Sequence, residues 1–220
     1  MLIFIRFVER IVFFLFLTAL CMAIPVSAQD SNGGFTEKWI DQAGFEQLKQ
    51  GGFVLYMRHG ITDTSRDDVS PIVDYQDCDV QRILSEEGKR QAVKIGMMLK
   101  KAKIPIIQIL HSPLCRARET AELAFPHMLK LLQANAYLAS SSNLTAAEKA
   151  PQLRGIRQLL GMPVPEHHNR LLISHAPNLY DLMGYFVKPE GTIVVFRPQG
   201  GENFVYVGSL TPRMFEQMLK

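Results

Sequence analysis

The apolar run Phe53-Val54-Leu55-Tyr56-Met57 passes without interruption into Arg58-His59-Gly60. No charged residue alternates within it, so the strand it forms has to be covered on both faces, as in the centre of an α/β sheet. That strand delivers a guanidinium and an imidazole to its own C-terminal tip, and Gly60 lets the chain turn away. In open α/β sheets this edge is where ligands bind. Arg58 beside His59 points to an anion, because a guanidinium matches carboxylate or phosphate geometry through two parallel hydrogen bonds.

Two later apolar runs end alike. Ile106–Leu110 ends in His111-Ser112, and the run Leu171-Leu172-Ile173 within Arg170–Ser174 ends in Ser174-His175. A parallel sheet brings all three tips to one edge. Between the strands, Ser85 with Glu86 and Glu87 starts a helix whose Ala92, Ile95, Gly96 and Leu99 face the core, and Lys100, Lys101 and Lys103 close it before Pro105. Further helices are expected over Arg116–Phe125, from the Thr145/Glu148 capping box to Leu160, over Leu179–Tyr185, and after Thr211-Pro212. A short strand is expected near Tyr137-Leu138. Ile193–Phe196 and Phe204–Val207 read as a hairpin around Gly200-Gly201. Alternating strands and helices predict a three-layer α/β/α sandwich with a mostly parallel central sheet. Residues 60–82 form a long polar loop, a length usually reserved for function. No G-x-x-x-x-G-K pattern is present, so a P-loop is excluded.

The 220 residues suit one domain, and a formal charge of +3 with scattered basic residues gives no reason to expect nucleic acid. Residues 1–28 read as a secretory signal peptide: Arg6 and Arg10, an apolar run from Ile11 to Ile24, then Val26 and Ala28 at a small-residue cleavage site. A retained anchor is the rival, although the run is short for a span of about 20 residues. The mature domain, 29–220, is then exported, periplasmic or extracellular, without stable membrane insertion. It keeps two cysteines, Cys78 and Cys115. In an oxidising compartment they either pair or stay as separate thiols.

Residues 112–121, Ser-Pro-Leu-Cys-Arg-Ala-Arg-Glu-Thr-Ala, run from the second strand tip into a helix with Arg116 in its first turn, where backbone N–H groups also favour an anion. Arg-His-Gly after a strand, Ser-x-x-x-Arg-x-x-x-Thr-Ala, and a histidine at a later strand tip together resemble the histidine phosphatase superfamily, the phosphoglycerate mutase-like fold, over about residues 52–210. The segment Asp77-Cys78-Asp79-Val80-Gln81-Arg82 is similar to a secreted bacterial branch, and that likeness implies a disulfide between Cys78 and Cys115.

The resemblance implies a phosphatase that works through a phosphohistidine, with His59 as nucleophile and Arg58, Arg116 and His175 as phosphate ligands. It implies no cofactor and no metal, and a small phosphorylated substrate such as a sugar phosphate or an envelope glycolipid phosphate. A leaving alkoxide also needs a proton donor. The family's two usual positions for it read Asn135–Ser140 and Ala176-Pro177-Asn178 here, with no acid. Glu190 and Asp63 are the candidates. Two other readings stay open: a non-catalytic phosphate-binding protein on the same fold, and a metal hydrolase built on His59, His111 and His175.

Overall fold

The computed structural model describes residues 34–220; the expected signal peptide lies outside the described residues. Six helices and six strands follow one another as α1 (Gln42–Gln50), β1 (Val54–Arg58), α2 (Glu86–Lys101), β2 (Ile106–His111), α3 (Cys115–Ala124), β3 (Leu132–Ala134), α4 (Ala146–Gly161), β4 (Asn169–Ser174), α5 (Ala176–Met183), β5 (Ile193–Pro198), β6 (Phe204–Leu210) and α6 (Pro212–Met218). The strands form one sheet in the order β3-β2-β4-β1-β5-β6. Pairing is parallel from β3 through β1 and antiparallel across β1–β5 and β5–β6, so β5 alone runs against the others. The expected mostly parallel α/β sheet is therefore present, with its C-terminal hairpin.

The uninterrupted apolar runs are explained by two cores. Leu55 and Met57 of β1 and Leu171 and Ile173 of β4 point into one, packed with Phe45 and Leu48 of α1, Ile95 and Leu99 of α2, Ala117 and Ala121 of α3 and Phe215 of α6. Val54, Tyr56 and Leu172 point the other way, against Ile156 and Leu160 of α4 and Leu179 of α5. Successive strand residues alternate faces, and here both faces are dry. Side-chain caps fix the helix starts: Ser85 Oγ accepts from Gly88 N–H, Thr145 and Glu148 form a reciprocal capping box, and Thr211 caps α6 ahead of Pro212.

Two expectations need correction. The segment at Tyr137-Leu138 is a 3-10 turn, Ala136–Leu138, because Asn135 accepts a hydrogen bond from Tyr137 N–H; the short strand lies earlier, at Leu132–Ala134. Helix α5 starts at Ala176, immediately after His175, with Pro177 in its first turn and Gly184 in the left-handed region (φ 77°) ending it. Helix α4 starts at Ala146 behind the expected Thr145 cap, and it carries Pro151 inside it. Among the described residues no helix is long and apolar enough to cross a membrane.

Candidate active site

The sheet brings the three strand tips together. In register, Arg58 of β1 lies opposite Ser174 of β4, and His111 of β2 lies opposite Ile173 of β4. The pairing continues past the strand ends, His59 N–H donating to the Ser174 carbonyl at 3.0 Å and Ser112 N–H to the Ile173 carbonyl at 2.8 Å. His59 and His175 thereby face each other, ring centroids 5.1 Å apart, both buried.

His59 Nδ1 lies 2.8 Å from the Gly60 carbonyl. A carbonyl only accepts, so Nδ1 carries the proton and Nε2 keeps its lone pair. Burial holds the His59 pKa well below its ordinary 6.5, the Arg116 charge pushes it further down, and Arg58 and Arg82 add to this against the pull of the Gly60 carbonyl. His175 is lowered well below 6.5 in the same way, by burial first and then by Arg116. Both imidazoles are neutral at pH 7.

The two expected arginines are here, each on a carboxylate. Arg58 donates to Glu190 Oε1 at 2.5 Å and to the Val187 carbonyl at 2.9 Å, and it lies over the Phe186 ring. Arg116, 2% exposed in the first turn of α3, donates through both terminal nitrogens to Asp68. The first N–H of that helix is already taken, since Cys115 N–H donates to Gln81 Oε1. Nε of Arg58, Nε of Arg82, Nε of Arg116 and Nδ1 of His175 are all buried without a hydrogen-bond partner. Buried donors rarely remain unpaired, and three guanidinium N–H groups and one imidazole nitrogen are left here for an acceptor-rich anion to satisfy.

Supporting contacts lock this arrangement. Thr120 Oγ1 donates to the Arg116 carbonyl and accepts from Gly60 N–H, joining α3 to the tip of β1. Gln91 of α2 accepts from Ile61 N–H and donates to the Glu190 carbonyl. Gly88 passes so close to the Ile61 carbonyl that a Cβ there would sit 1.8 Å from its oxygen. The Tyr56 hydroxyl donates to the His175 carbonyl at 2.7 Å.

Of the expected carboxylates, Glu190 reaches the cluster and Asp63 does not. Asp63 is spent on its own loop, where the Ser65 side chain and then its N–H, which donates at 2.9 Å, hold its carboxyl below the usual range. Two members were not singled out from the sequence. Asp68 and Arg82 lie in the polar loop, where spacing gives no periodic signal. The fold places Asp68 on Arg116, and Arg82 close enough to depress both histidines. His111 turns away, its Nδ1 on the Ser112 carbonyl. Among the described residues no group of three or more His, Cys, Asp or Glu side chains is placed to hold a metal ion, so His59, His111 and His175 do not form a three-ligand set. Cys78 and Cys115 are joined by a disulfide, S–S 2.01 Å, which ties the polar loop to the start of α3. Arg118 covers the two sulfurs at 3.3 and 3.4 Å.

Residues 54–136 match the family model of the histidine phosphatase superfamily (branch 1). No curated protein matches the chain. Solved structures do match in fold. A protein from Escherichia coli K-12, assigned as an α-ribazole-5′-phosphate phosphatase, is 16% identical with a TM-score of 0.54, over 73% of this chain and 97% of that one. One from Agrobacterium tumefaciens, assigned as the phosphohistidine phosphatase SixA, is 16% identical with a TM-score of 0.50, over 74% and 99%. A histidine-to-alanine mutant of Entamoeba histolytica phosphoserine phosphatase, bound to phosphoserine, is 14% identical with a TM-score of 0.50, over 74% and 98%. The family match thus covers β1 to β3, and each of these structures shares the fold of this chain over nearly its whole length.

Proposed function

We propose that this chain is an exported, metal-independent phosphomonoesterase that turns over through a phosphohistidine on His59. The observation that carries this reading is the set of buried nitrogens without partners on Arg58, Arg82, Arg116 and His175, together with a neutral imidazole whose Nδ1–H is held by Gly60. His59 Nε2 attacks phosphorus, an N–P bond forms and the P–O bond to the leaving group breaks. Arg58, Arg116 and His175 bind the three peripheral oxygens and take up the charge of the in-line transition state. Glu190, which accepts from Arg58 in the resting site, must carry a proton when substrate is bound and gives it to the leaving oxygen. The Glu190 carboxylate then takes a proton from the attacking water, the O–P bond to that water forms, the N–P bond breaks and inorganic phosphate leaves, returning His59 to its neutral form and Glu190 to its acid form.

Export rests on the leader-like residues 1–28 and agrees with the disulfide. The substrate in this reading is a small phosphomonoester, a sugar phosphate or an envelope glycolipid phosphate. The acids of loop 61–82 disfavour a polyphosphate. The test is a single turnover on an aryl phosphate with acid-labile phosphoenzyme trapped on the millisecond scale. We expect it in wild type and not in His59→Ala. Phosphatase activity that persists in His59→Ala, or is abolished by a chelator, overturns the reading.

A further inference from the structure

We propose that Ser112 is a positioning residue that fixes which nitrogen of His175 carries the proton, so that Nδ1–H is presented to the phosphoryl group. The inference deepens the phosphatase reading above and rests on it for the identity of the anion.

Ser112 Oγ lies 2.7 Å from His175 Nε2, and both residues are almost completely buried. The same Oγ accepts from Leu114 N–H at 3.2 Å. A hydroxyl has one proton and two lone pairs. With one lone pair occupied by Leu114, two arrangements remain. If His175 Nε2–H donates to Ser112, the serine proton is stranded in a dry interior. If Ser112 donates to Nε2, the donor left over is His175 Nδ1–H instead. Each arrangement leaves one buried donor, but only the second leaves it on the ring that faces His59, where a bound phosphoryl oxygen pairs it, so the serine donates and the imidazole proton moves to Nδ1.

His175 Nδ1 is buried without a partner. The backbone that carries it is held from behind, because the His175 carbonyl accepts from the Tyr56 hydroxyl and the Ser174 hydroxyl is engaged with the Leu138 carbonyl. Across the site stands His59, whose Nδ1–H is turned to Gly60 and whose Nε2 is a bare lone pair. The two histidines thus take opposite duties by opposite local bonds. A carbonyl makes His59 a nucleophile, and a hydroxyl makes His175 a donor. A phosphoryl oxygen is the acceptor that the His175 Nδ1–H lacks.

Long-range ¹H–¹⁵N correlation spectra of the oxidised domain, labelled at histidine and recorded near pH 7.5, read this directly. In wild type His175 is expected with a protonated Nδ1 and an unprotonated Nε2. In Ser112→Ala the two shifts are expected to average towards a tautomer mixture, with kcat/KM on an aryl phosphate about 10- to 100-fold lower. Ser112→Thr, which keeps the hydroxyl, is expected to restore the Nδ1–H form and most of the activity. A wild-type His175 protonated at Nε2 overturns the proposal without any variant having to fold. An unchanged tautomer in Ser112→Ala also overturns it, even if activity falls. The spectra need no turnover: a wild type that forms no phosphoenzyme while keeping Nδ1–H on His175 removes the phosphatase reading and leaves the Ser112–His175 assignment standing.

Discussion

Asp68 holds Arg116 through both terminal nitrogens of the guanidinium, at 2.9 and 3.0 Å, with the two side chains only 12% and 3% exposed. Asp68 also accepts from Arg82 N–H at 2.8 Å. A carboxylate presents two oxygens to a guanidinium much as a phosphate does, so Asp68 stands where two phosphoryl oxygens would be received. Removing it leaves a buried cation uncompensated, which costs about 3 kcal/mol. We therefore predict that Asp68→Ala melts at lower temperature than wild type in plain buffer. Inorganic phosphate or vanadate should recover more stability in the variant than it adds to wild type, because ligand binding no longer competes with the carboxylate. Differential scanning fluorimetry with and without the anion checks this; equal anion shifts in both proteins contradict it.

Glu190 sits on Arg58 with a quarter of its side chain accessible. A proton donor matters most when the leaving oxygen is basic. Glu190→Gln should lower kcat on an alkyl phosphate by about 10²- to 10⁴-fold, the usual range for general acid catalysis. It should change kcat on a nitrophenyl ester by less than about tenfold. A loss of equal size on both esters would make Glu190 a support for Arg58 instead of a donor.

The two buried histidines give acid pH two separate effects. In the unfolded chain each takes up a proton near its ordinary 6.5, while in the folded protein both are held well below that value. Between the folded and unfolded values only the unfolded state gains protons, so this contribution to stability is complete above pH 6.5 and declines as pH falls. Urea midpoints measured from pH 7.5 to 5 should fall accordingly. Over the same range the nucleophile stays neutral while the protein remains folded. The acid limb of kcat/KM attributable to His59 should lie below 6.5, and a limb at 6.5 would mean that His59 titrates as an exposed histidine.

The disulfide closes a stretch of chain with a sequence separation of 37. In the chain-entropy model a loop of that size is worth about 4 kcal/mol. Reduction, or Cys78→Ser, should lower the urea midpoint by a corresponding amount. It should also raise amide exchange selectively in residues 61–84, which hang between the disulfide and the Asp68–Arg116 pair. Exchange that rises uniformly over the sheet would show that the link serves the whole fold and not the loop.

The sheet was legible in the sequence because its strands are dry on both faces. Leu55, Met57, Val54 and Tyr56 had to be apolar for two cores at once, and a run this short between Gly51-Gly52 and Gly60 suits a strand and not a buried helix. The tips were legible for the same reason, since Arg58, His59 and His175 each break such a run. What escaped notice lies where no periodicity exists. Asp68 and Arg82 occupy an irregular loop, and their position at the site follows from the disulfide and from bonds such as Val69 N–H to the Val80 carbonyl, which fold that loop back over α3. Asp63, nearer to His59 in sequence than either, is turned away by its bond to Ser65. The turn at Tyr137 was misread as a strand because the decisive contact belongs to Asn135, a single side chain.

The side-by-side tips of β2, β4 and β1 also bear on how the molecule comes to life. His59, Arg116 and His175 are distant along the chain, and the parallel ladder that aligns them closes large loops before it returns any hydrogen bonds. A chain still emerging, or threaded unfolded across a barrier, can hold the Arg58-His59-Gly60 segment intact and yet have no second or third ligand for a phosphate. In the proposed reading a complete phosphate site therefore needs β4 docked between β2 and β1, and phosphate capture during refolding would serve as a clock for completion of the sheet.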